Sequence, residues 1–120
     1  MANISQHKST SVTKLLLCGD SGSGKTSALA SVANAGKKLR ILDYDDGLDI
    51  LPEFLKPEAV KNVSYVTLRD SLGQADSFRR GARLLSHWKD GDEDLGPVKE
   101  WGDDTVLVID SLTLMGEAAL

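Results

Sequence analysis

Apolar and polar positions along the chain alternate in blocks that have the lengths of strands and helices. Four blocks are short and rich in apolar, β-branched or aromatic residues, which is typical of strands. The first and last of them are continuously apolar, as expected for strands buried in a parallel sheet. The predicted strands are 14–18, 39–43, 62–68 and 105–110.

Two other blocks have helical character. Residues 25–35 are rich in Ala, Leu and Ser, and Gly36 follows as a natural C-terminal cap. In residues 72–88, apolar side chains recur at steps of three and four, and Ser71 is placed to cap the start. The apolar face of this second helix is predicted to contain Leu72, Ala75, Phe78, Ala82 and Leu85.

The opposite face of the second predicted helix carries Arg79, Arg80 and Arg83. Three arginines on one face are typical of a solvated helix surface, and they also suit contact with a phosphate backbone or a neighbouring subunit. His87 follows near the helix end without a partner at metal-ligand spacing, so a surface or capping role is expected for it.

The remaining segments are predicted to be irregular. Pro52 and Pro57 limit any helix between the second and third strands to a few residues. Residues 89–104 are polar, acidic and contain glycine and proline, which predicts a long surface loop. Strands that alternate with helical patterns indicate an α/β fold with a parallel sheet flanked by helices.

Length and composition are those of one soluble domain. The chain has 120 residues, of which 41% are hydrophobic and 27% charged. We expect a flexible polar lead-in at 1–13 and a folded core at 14–120. The apolar run 15–18 is far shorter than the roughly 20 residues that cross a bilayer, so no membrane partner is expected. A single cysteine, Cys18, cannot form an internal disulfide, which agrees with a cytoplasmic location.

The most specific chemical signal lies between the first predicted strand and the first predicted helix. Residues 19–26 read GDSGSGKT and satisfy the phosphate-loop pattern G-x-x-x-x-G-K-[ST]. The glycines let successive backbone N–H groups turn towards phosphates, and the helix N-terminus adds a favourable dipole. Lys25 is expected to neutralise the β- and γ-phosphates, and the Thr26 hydroxyl to bind Mg²⁺. The predicted nucleotide-binding residues are Gly19, Asp20, Ser21, Gly22, Ser23, Gly24, Lys25, Thr26 and Ser27.

A magnesium site of this type needs a further carboxylate at the end of a neighbouring strand. Asp110 ends the last predicted strand and is the candidate, although an aspartate that caps the next helix would look the same in sequence. Hydrolysis also needs a group that orients or deprotonates water. Asp43, Asp45 and Asp46 are all candidates, and a solvated acidic turn is the alternative reading.

Three segments together resemble RecA-like ATPases. They are the phosphate loop, residues 41–49 (ILDYDDGLD) and residues 106–113 (VLVIDSLT). The similarity is greatest to phage-encoded ATP-binding proteins of the RecA and single-strand-annealing type. The resemblance implies that Lys25 contacts phosphate, that Thr26 and Asp110 hold Mg²⁺, and that Asp45 is the catalytic acid. RecA-like enzymes usually have glutamate at the position of Asp45.

The resemblance implies a Mg²⁺-dependent ATP hydrolase that serves DNA recombination or single-strand DNA handling. It also implies single-stranded DNA as a partner, a homo-oligomer in the complete protein, and the bacterial host cytoplasm as the location. In RecA-like folds a later strand lies between the phosphate-loop strand and the strand of the magnesium aspartate. No such strand follows Asp110 within 120 residues, so we expect a core truncated at its C-terminus.

Two other functions stay open. A nucleoside or nucleotide kinase shares the phosphate loop and uses an acid after the second strand to bind its acceptor. A slow ATP-dependent assembly module on DNA is the other alternative, because aspartate at position 45 is shorter than the usual glutamate. A Ras-type GTPase is disfavoured, since its N-K-x-D motif does not occur.

Overall fold

The computed structural model describes residues 24–44, 48–70, 76–111, 115–116 and 118–119. The predicted lead-in at 1–13 and the predicted strand at 14–18 lie outside this range. In chain order, the elements are helix α1 (Lys25–Asn34), strand β1 (Lys38–Asp43), short helix α2 (Leu51–Phe54), a 3₁₀ helix (Pro57–Asn62), strand β2 (Val63–Thr67), helix α3 (Ser77–Ser86), strands β3 (Trp88–Asp90) and β4 (Glu93–Gly96), a second 3₁₀ helix (Val98–Glu100) and strand β5 (Thr105–Asp110).

Three of the strands form a parallel sheet in the order β2-β1-β5. In its register, Leu39 lies beside Val63 on one side and Val106 on the other, and Asp43 lies beside Thr67 and Asp110. Helices flank this sheet, which confirms the predicted α/β class. β1 is central and almost wholly buried, whereas every residue of β5 is half-buried.

The first face of the sheet, defined by Leu39 and Ile41, is covered by α1, α2 and the first 3₁₀ helix. Both side chains are fully buried against Ala30 and Ala33 of α1. The small alanines let the helix lie close to the sheet. Gly36 follows α1 with a φ of 99°, a left-handed value that favours glycine, as predicted for the cap.

The second face, defined by Arg40 and Leu42, packs against α3 and a two-stranded hairpin of β3 and β4. Its buried core consists of Leu42, Tyr44, Leu68 and Trp88. Trp88 contacts Trp101 edge to face, with ring centroids 5.6 Å apart. Aromatic rings therefore fill this face, where the first face uses alanines.

The hairpin corrects two predictions. Residues 89–104 contain β3, β4 and a 3₁₀ helix rather than a long loop, and the second predicted helix ends at Ser86. Trp88 lies in β3 and is fully buried. The hairpin was not predicted because its two strands are only three and four residues long and contain acidic and glycine residues.

Arg40 fastens the hairpin to the second face. Its side chain is only 6% exposed, and its Nε donates to Glu93 Oε1 at 2.7 Å. The guanidinium also donates to Glu93 Oε2 at 2.9 Å, Leu39 O at 2.9 Å and Asn62 O at 3.0 Å. The buried charge of Arg40 is tolerated because each of these four hydrogen bonds ends on an oxygen acceptor.

The buried face of α3 agrees only in part with the predicted one. Leu85 packs against the core of the second face as predicted, together with Leu84, but the fully buried residues are Ser77 and Gly81, and Ala82 is exposed. The helix turns its glycine inward because the Tyr44 hydroxyl occupies the space that a Cβ at Gly81 would need. The predicted cap Ser71 and the apolar residues Leu72 and Ala75 lie outside the described residues.

The Asp70 carboxylate binds the first backbone N–H group of α3. Its Oδ1 accepts a hydrogen bond from the Ser77 backbone N–H at 2.9 Å. Hydrogen bonds from Ser77 hold the pKa of the Asp70 carboxyl below its usual value of 3.8. Within the described segments, no helix is long and apolar enough to cross a membrane.

Candidate functional site

Two carboxylates lie side by side where the parallel strands end. Asp43 is the last residue of β1, Asp110 is the last residue of β5, and the two are register partners. Side chains alternate between the faces of a strand, so Asp43 shares the face of Ile41, and Asp110 shares the face of Val108. Ile41 and Val108 belong to the core under α1. Asp43 and Asp110 therefore occupy the carboxyl edge of the sheet on the first face.

Thr67 extends this row to the third strand. It is the register partner of Asp43, and its hydroxyl donates to Asp43 Oδ2 at 3.2 Å. Asp43 is 1% exposed, so this bond satisfies part of a buried carboxylate. Thr67 was not among the site residues predicted from the sequence. Its position as the last residue of a parallel strand was the available signal, because the carboxyl ends of such strands meet at one edge.

Backbone hydrogen bonds continue the sheet past these carboxylates. The Tyr44 N–H donates to Asp110 O at 2.6 Å, and the Leu68 N–H donates to Asp43 O at 2.8 Å. A cis peptide bond joins Asp110 to Ser111. The backbone that carries the row is thus held on both sides of β1.

Helix α1 begins at the same edge of the sheet. A connection of three residues, 35–37, joins its end to the start of β1, so the helix runs antiparallel to the strand that it covers. Its first residue, Lys25, is exposed, and Thr26 is half-buried. Lys25 and Thr26 thus lie at the end of the sheet that carries Asp43 and Asp110.

Gly24 precedes α1 with a φ of 100°, a left-handed value that favours glycine. Its carbonyl accepts from the Ala28 N–H at 3.0 Å and from the Ser27 hydroxyl at 2.9 Å. The first N–H groups of any α-helix have no acceptor within that helix. Such N–H groups at a helix start suit an anion.

Several predicted site residues lie outside the described range: Gly19, Asp20, Ser21, Gly22, Ser23, Asp45 and Asp46. Of the three acids proposed after the second strand, Asp43 is the one whose position the structure gives, and it adjoins Asp110. The role predicted for Asp45 stays a prediction. In the described residues, no group of three or more His, Cys, Asp or Glu side chains is arranged to hold a metal ion.

Tyr44 connects the carboxyl edge of the sheet to the second face. It follows Asp43 directly, so its side chain points to the opposite side of the sheet, where it is 5% exposed and contacts the core around Trp88. Burial raises the pKa of the Tyr44 hydroxyl, and the charge of Arg80 partly opposes this. Tyr44 thus connects Asp43, its neighbour in the chain, to Gly81 of α3.

No protein-family model matches the chain, and no match was found among curated proteins or solved structures.

Proposed function

We propose that the chain binds ATP with Mg²⁺ through residues 19–27 and hydrolyses it. The observation that carries this proposal is the pairing of Asp43 with Asp110 at the carboxyl edge of a parallel sheet, on the face covered by α1. Open α/β sheets bind ligands at this edge. The helix that begins there is the one that follows the phosphate-loop motif in sequence.

Each residue has a definite part in the proposed site. Lys25 would neutralise the β- and γ-phosphates, and the Thr26 hydroxyl and Asp110 would hold Mg²⁺ directly or through water. Mg²⁺ suits this arrangement because it keeps several waters and takes few protein ligands beside the phosphates. Asp43, buried and beside Asp110, would offer a second carboxylate to that water shell.

In the proposed reaction, a water oxygen forms a bond to the γ-phosphorus while the bond from that phosphorus to the bridging oxygen breaks. ADP leaves with the bonding electrons, and the water proton passes to a carboxylate and then to solvent. The resemblance to RecA-like ATPases implies that Asp45 is the carboxylate that accepts this proton. From the same resemblance, we propose that hydrolysis serves DNA recombination or single-strand DNA handling in a homo-oligomer.

The test is ATP binding and phosphate release by the purified chain, with and without Mg²⁺. The variants are Lys25→Ala, Asp110→Asn and the control Lys56→Ala, which removes an exposed lysine at the start of the first 3₁₀ helix. Circular dichroism first establishes that each variant is folded. We expect Lys25→Ala to lower turnover by roughly 100-fold or more, because one preorganised charge at a transition state is worth about that much. Asp110→Asn should raise the Mg²⁺ concentration needed.

Equal turnover in Lys25→Ala and Lys56→Ala would contradict the proposed site. A nucleoside acceptor added to the same assay separates hydrolysis from kinase activity. A hydrolase releases inorganic phosphate whether or not the acceptor is present, and a kinase transfers the phosphate to the acceptor. GTP in place of ATP tests the choice of nucleotide.

A further inference from the structure

An open groove runs along the outer side of α3. It has a volume of about 590 Å³ and is lined by Arg79, Ala82, Arg83, Ser86 and His87. These residues recur at steps of three and four, so they form one stripe of the helix, and all five are exposed. We call this stripe the α3 groove. It lies on the side of the helix away from Gly81, which packs on Tyr44.

The arginines of the α3 groove have no ion-pair partner within the described part of the chain. Arg80, between them in sequence, is engaged instead, because its Nε lies 3.4 Å from Asp76 Oδ1. One helical turn separates Arg79 from Arg83, which is a rise of roughly 6 Å. The groove thus presents two guanidinium groups one turn apart with no carboxylate paired to them among the described residues, while the Asp94 carboxylate binds His87 at its end.

The cationic surface continues beyond the groove. Arg83 also lines an adjoining cavity of about 260 Å³, together with Arg80, Lys89 and Asp90. Asp90 is the acidic residue of this cavity. Because Arg80 is paired with Asp76, two cations, Arg83 and Lys89, remain against one acid, which leaves one excess positive charge where α3 meets the hairpin.

The shape of the α3 groove favours a nucleic acid over an acidic protein segment. Its lining includes Ala82 and Ser86, whose small side chains leave the groove open. Protein interfaces depend on buried aromatic or aliphatic anchors, and among the described residues the groove is lined by no aliphatic side chain larger than that of Ala82. A phosphate backbone needs only spaced cations and room to approach them. Arginine suits that contact because its planar fork donates two hydrogen bonds to one phosphate.

We propose that the α3 groove binds the phosphate backbone of a nucleic acid through Arg79 and Arg83. This deepens the proposed function by giving its DNA partner a surface, and it rests on that function for the identity of the polyanion. Contact through phosphates does not read sequence, so binding is independent of base composition. Because Gly81 on the same helix touches Tyr44, the bound strand and the candidate site lie on opposite sides of one packed contact.

The experiment measures fluorescence anisotropy of a labelled single-stranded oligonucleotide, and of a duplex of equal length, at several salt concentrations without nucleotide. The test variant carries Arg79→Ala and Arg83→Ala. The control carries Lys56→Ala and Lys61→Ala, which removes the same charge from two exposed lysines, one just before and one within the first 3₁₀ helix. A third variant, Arg79→Lys with Arg83→Lys, keeps the charge and removes the fork.

We expect the Arg79→Ala, Arg83→Ala variant to lose at least about 10-fold in affinity at low salt. Its salt dependence should be less steep by about 1 to 2 in log–log slope, because each phosphate contact to single strands contributes about 0.7. The lysine control should change by less than about threefold, and the Arg→Lys variant should keep the salt slope. The single-strand and duplex arms show which form is bound.

Failure of this inference differs from failure of the proposed function. Equal losses in the arginine and lysine double variants, or no binding of either nucleic acid by the wild-type chain, would overturn the α3 groove as a binding surface. ATP binding, measured separately in the arginine double variant, should match wild type. ATP binding lost in Lys25→Ala but kept in the arginine variant would leave the ATP site standing in either case.

Discussion

The two faces of the sheet are packed by different kinds of side chain. On the first face, Ala30 and Ala33 bring α1 close to Leu39 and Ile41, and the contacts are aliphatic throughout. On the second face, Trp88 and Tyr44 fill a wider space, and a buried Arg40 crosses it to Glu93. The first face holds a helix start near the carboxylates, while the second supports the same strand from behind.

The difference has a physical cause. A helix that must start at a fixed point of the sheet edge benefits from small residues, since they set a short and uniform distance. A hairpin with strands of three and four residues has too few backbone bonds to be stable alone, so it depends on large side chains and on the Arg40 ion pair. Stability of the second face should therefore be concentrated in few residues.

Trp88→Ala provides the largest test of that concentration. Trp88 is fully buried and contacts Trp101, so its loss should lower the free energy of unfolding by about 3–5 kcal/mol. Urea denaturation followed by circular dichroism measures it. Ile41→Ala on the first face, expected at about 2–5 kcal/mol, is the comparison. A loss below about 1 kcal/mol for Trp88→Ala would mean that the hairpin is not part of the core.

Glu93→Ala breaks the ion pair that fastens the hairpin. Arg40 would keep its bonds to Leu39 O and Asn62 O but lose two charge-assisted ones, which should cost about 1–3 kcal/mol. Urea denaturation again measures the effect, with Glu100→Ala as the exposed-carboxylate control. A double variant, Arg40→Met with Glu93→Leu, should recover part of the loss. Equal effects for Glu93→Ala and Glu100→Ala would contradict the fastening role.

Gly81→Ala tests how closely α3 lies on the second face. Alanine normally stabilises a helix by about 0.5–1 kcal/mol relative to glycine, but here its Cβ would overlap the Tyr44 hydroxyl. We expect a net loss of about 1–2 kcal/mol in the free energy of unfolding. Adding Tyr44→Phe should reverse it by removing the hydroxyl. Gly116→Ala, where a Cβ would meet no atom within 4 Å, is the control and should not destabilise.

Asp70→Asn should have the smallest effect, visible only in acid. The pKa of Asp70 is lower in the folded protein than its usual 3.8, so its contribution to stability is present above that value and is lost as pH falls through the folded pKa. The variant should therefore show a shallower loss of stability below about pH 4. Urea midpoints at several pH values measure it, and Asp92→Asn serves as control. Parallel acid limbs for Asp70→Asn and wild type would contradict the assignment.

Periodicity predicted the first face and the sheet more fully than the second face. The strands at 39–43, 62–68 and 105–110 appear within a residue at either end, because short blocks of apolar, β-branched and aromatic residues are typical of strands. The hairpin was missed because Glu93 and Asp94 read as solvated loop. Glu93 is instead the partner of Arg40, a pairing 53 residues apart that no local pattern encodes.

The candidate site divides in the same way. Asp110 could be selected from sequence because it ends an apolar strand, and Asp43 because it begins the acidic segment after another. Their adjacency depends on the register of β1 and β5, which is set by the packing of both strands. Thr67 was missed for that reason, since its role arises only when β2 pairs with β1.

The contact between Gly81 and Tyr44 also constrains how this sequence can diverge. Positions 44 and 81 share one volume, so neither can change freely while the other keeps its present size. Among descendants of this chain, a larger residue at 81 should appear together with a smaller one at 44. Because position 44 follows Asp43 directly, this paired change would occur one residue away from the proposed site, on the opposite face of the sheet.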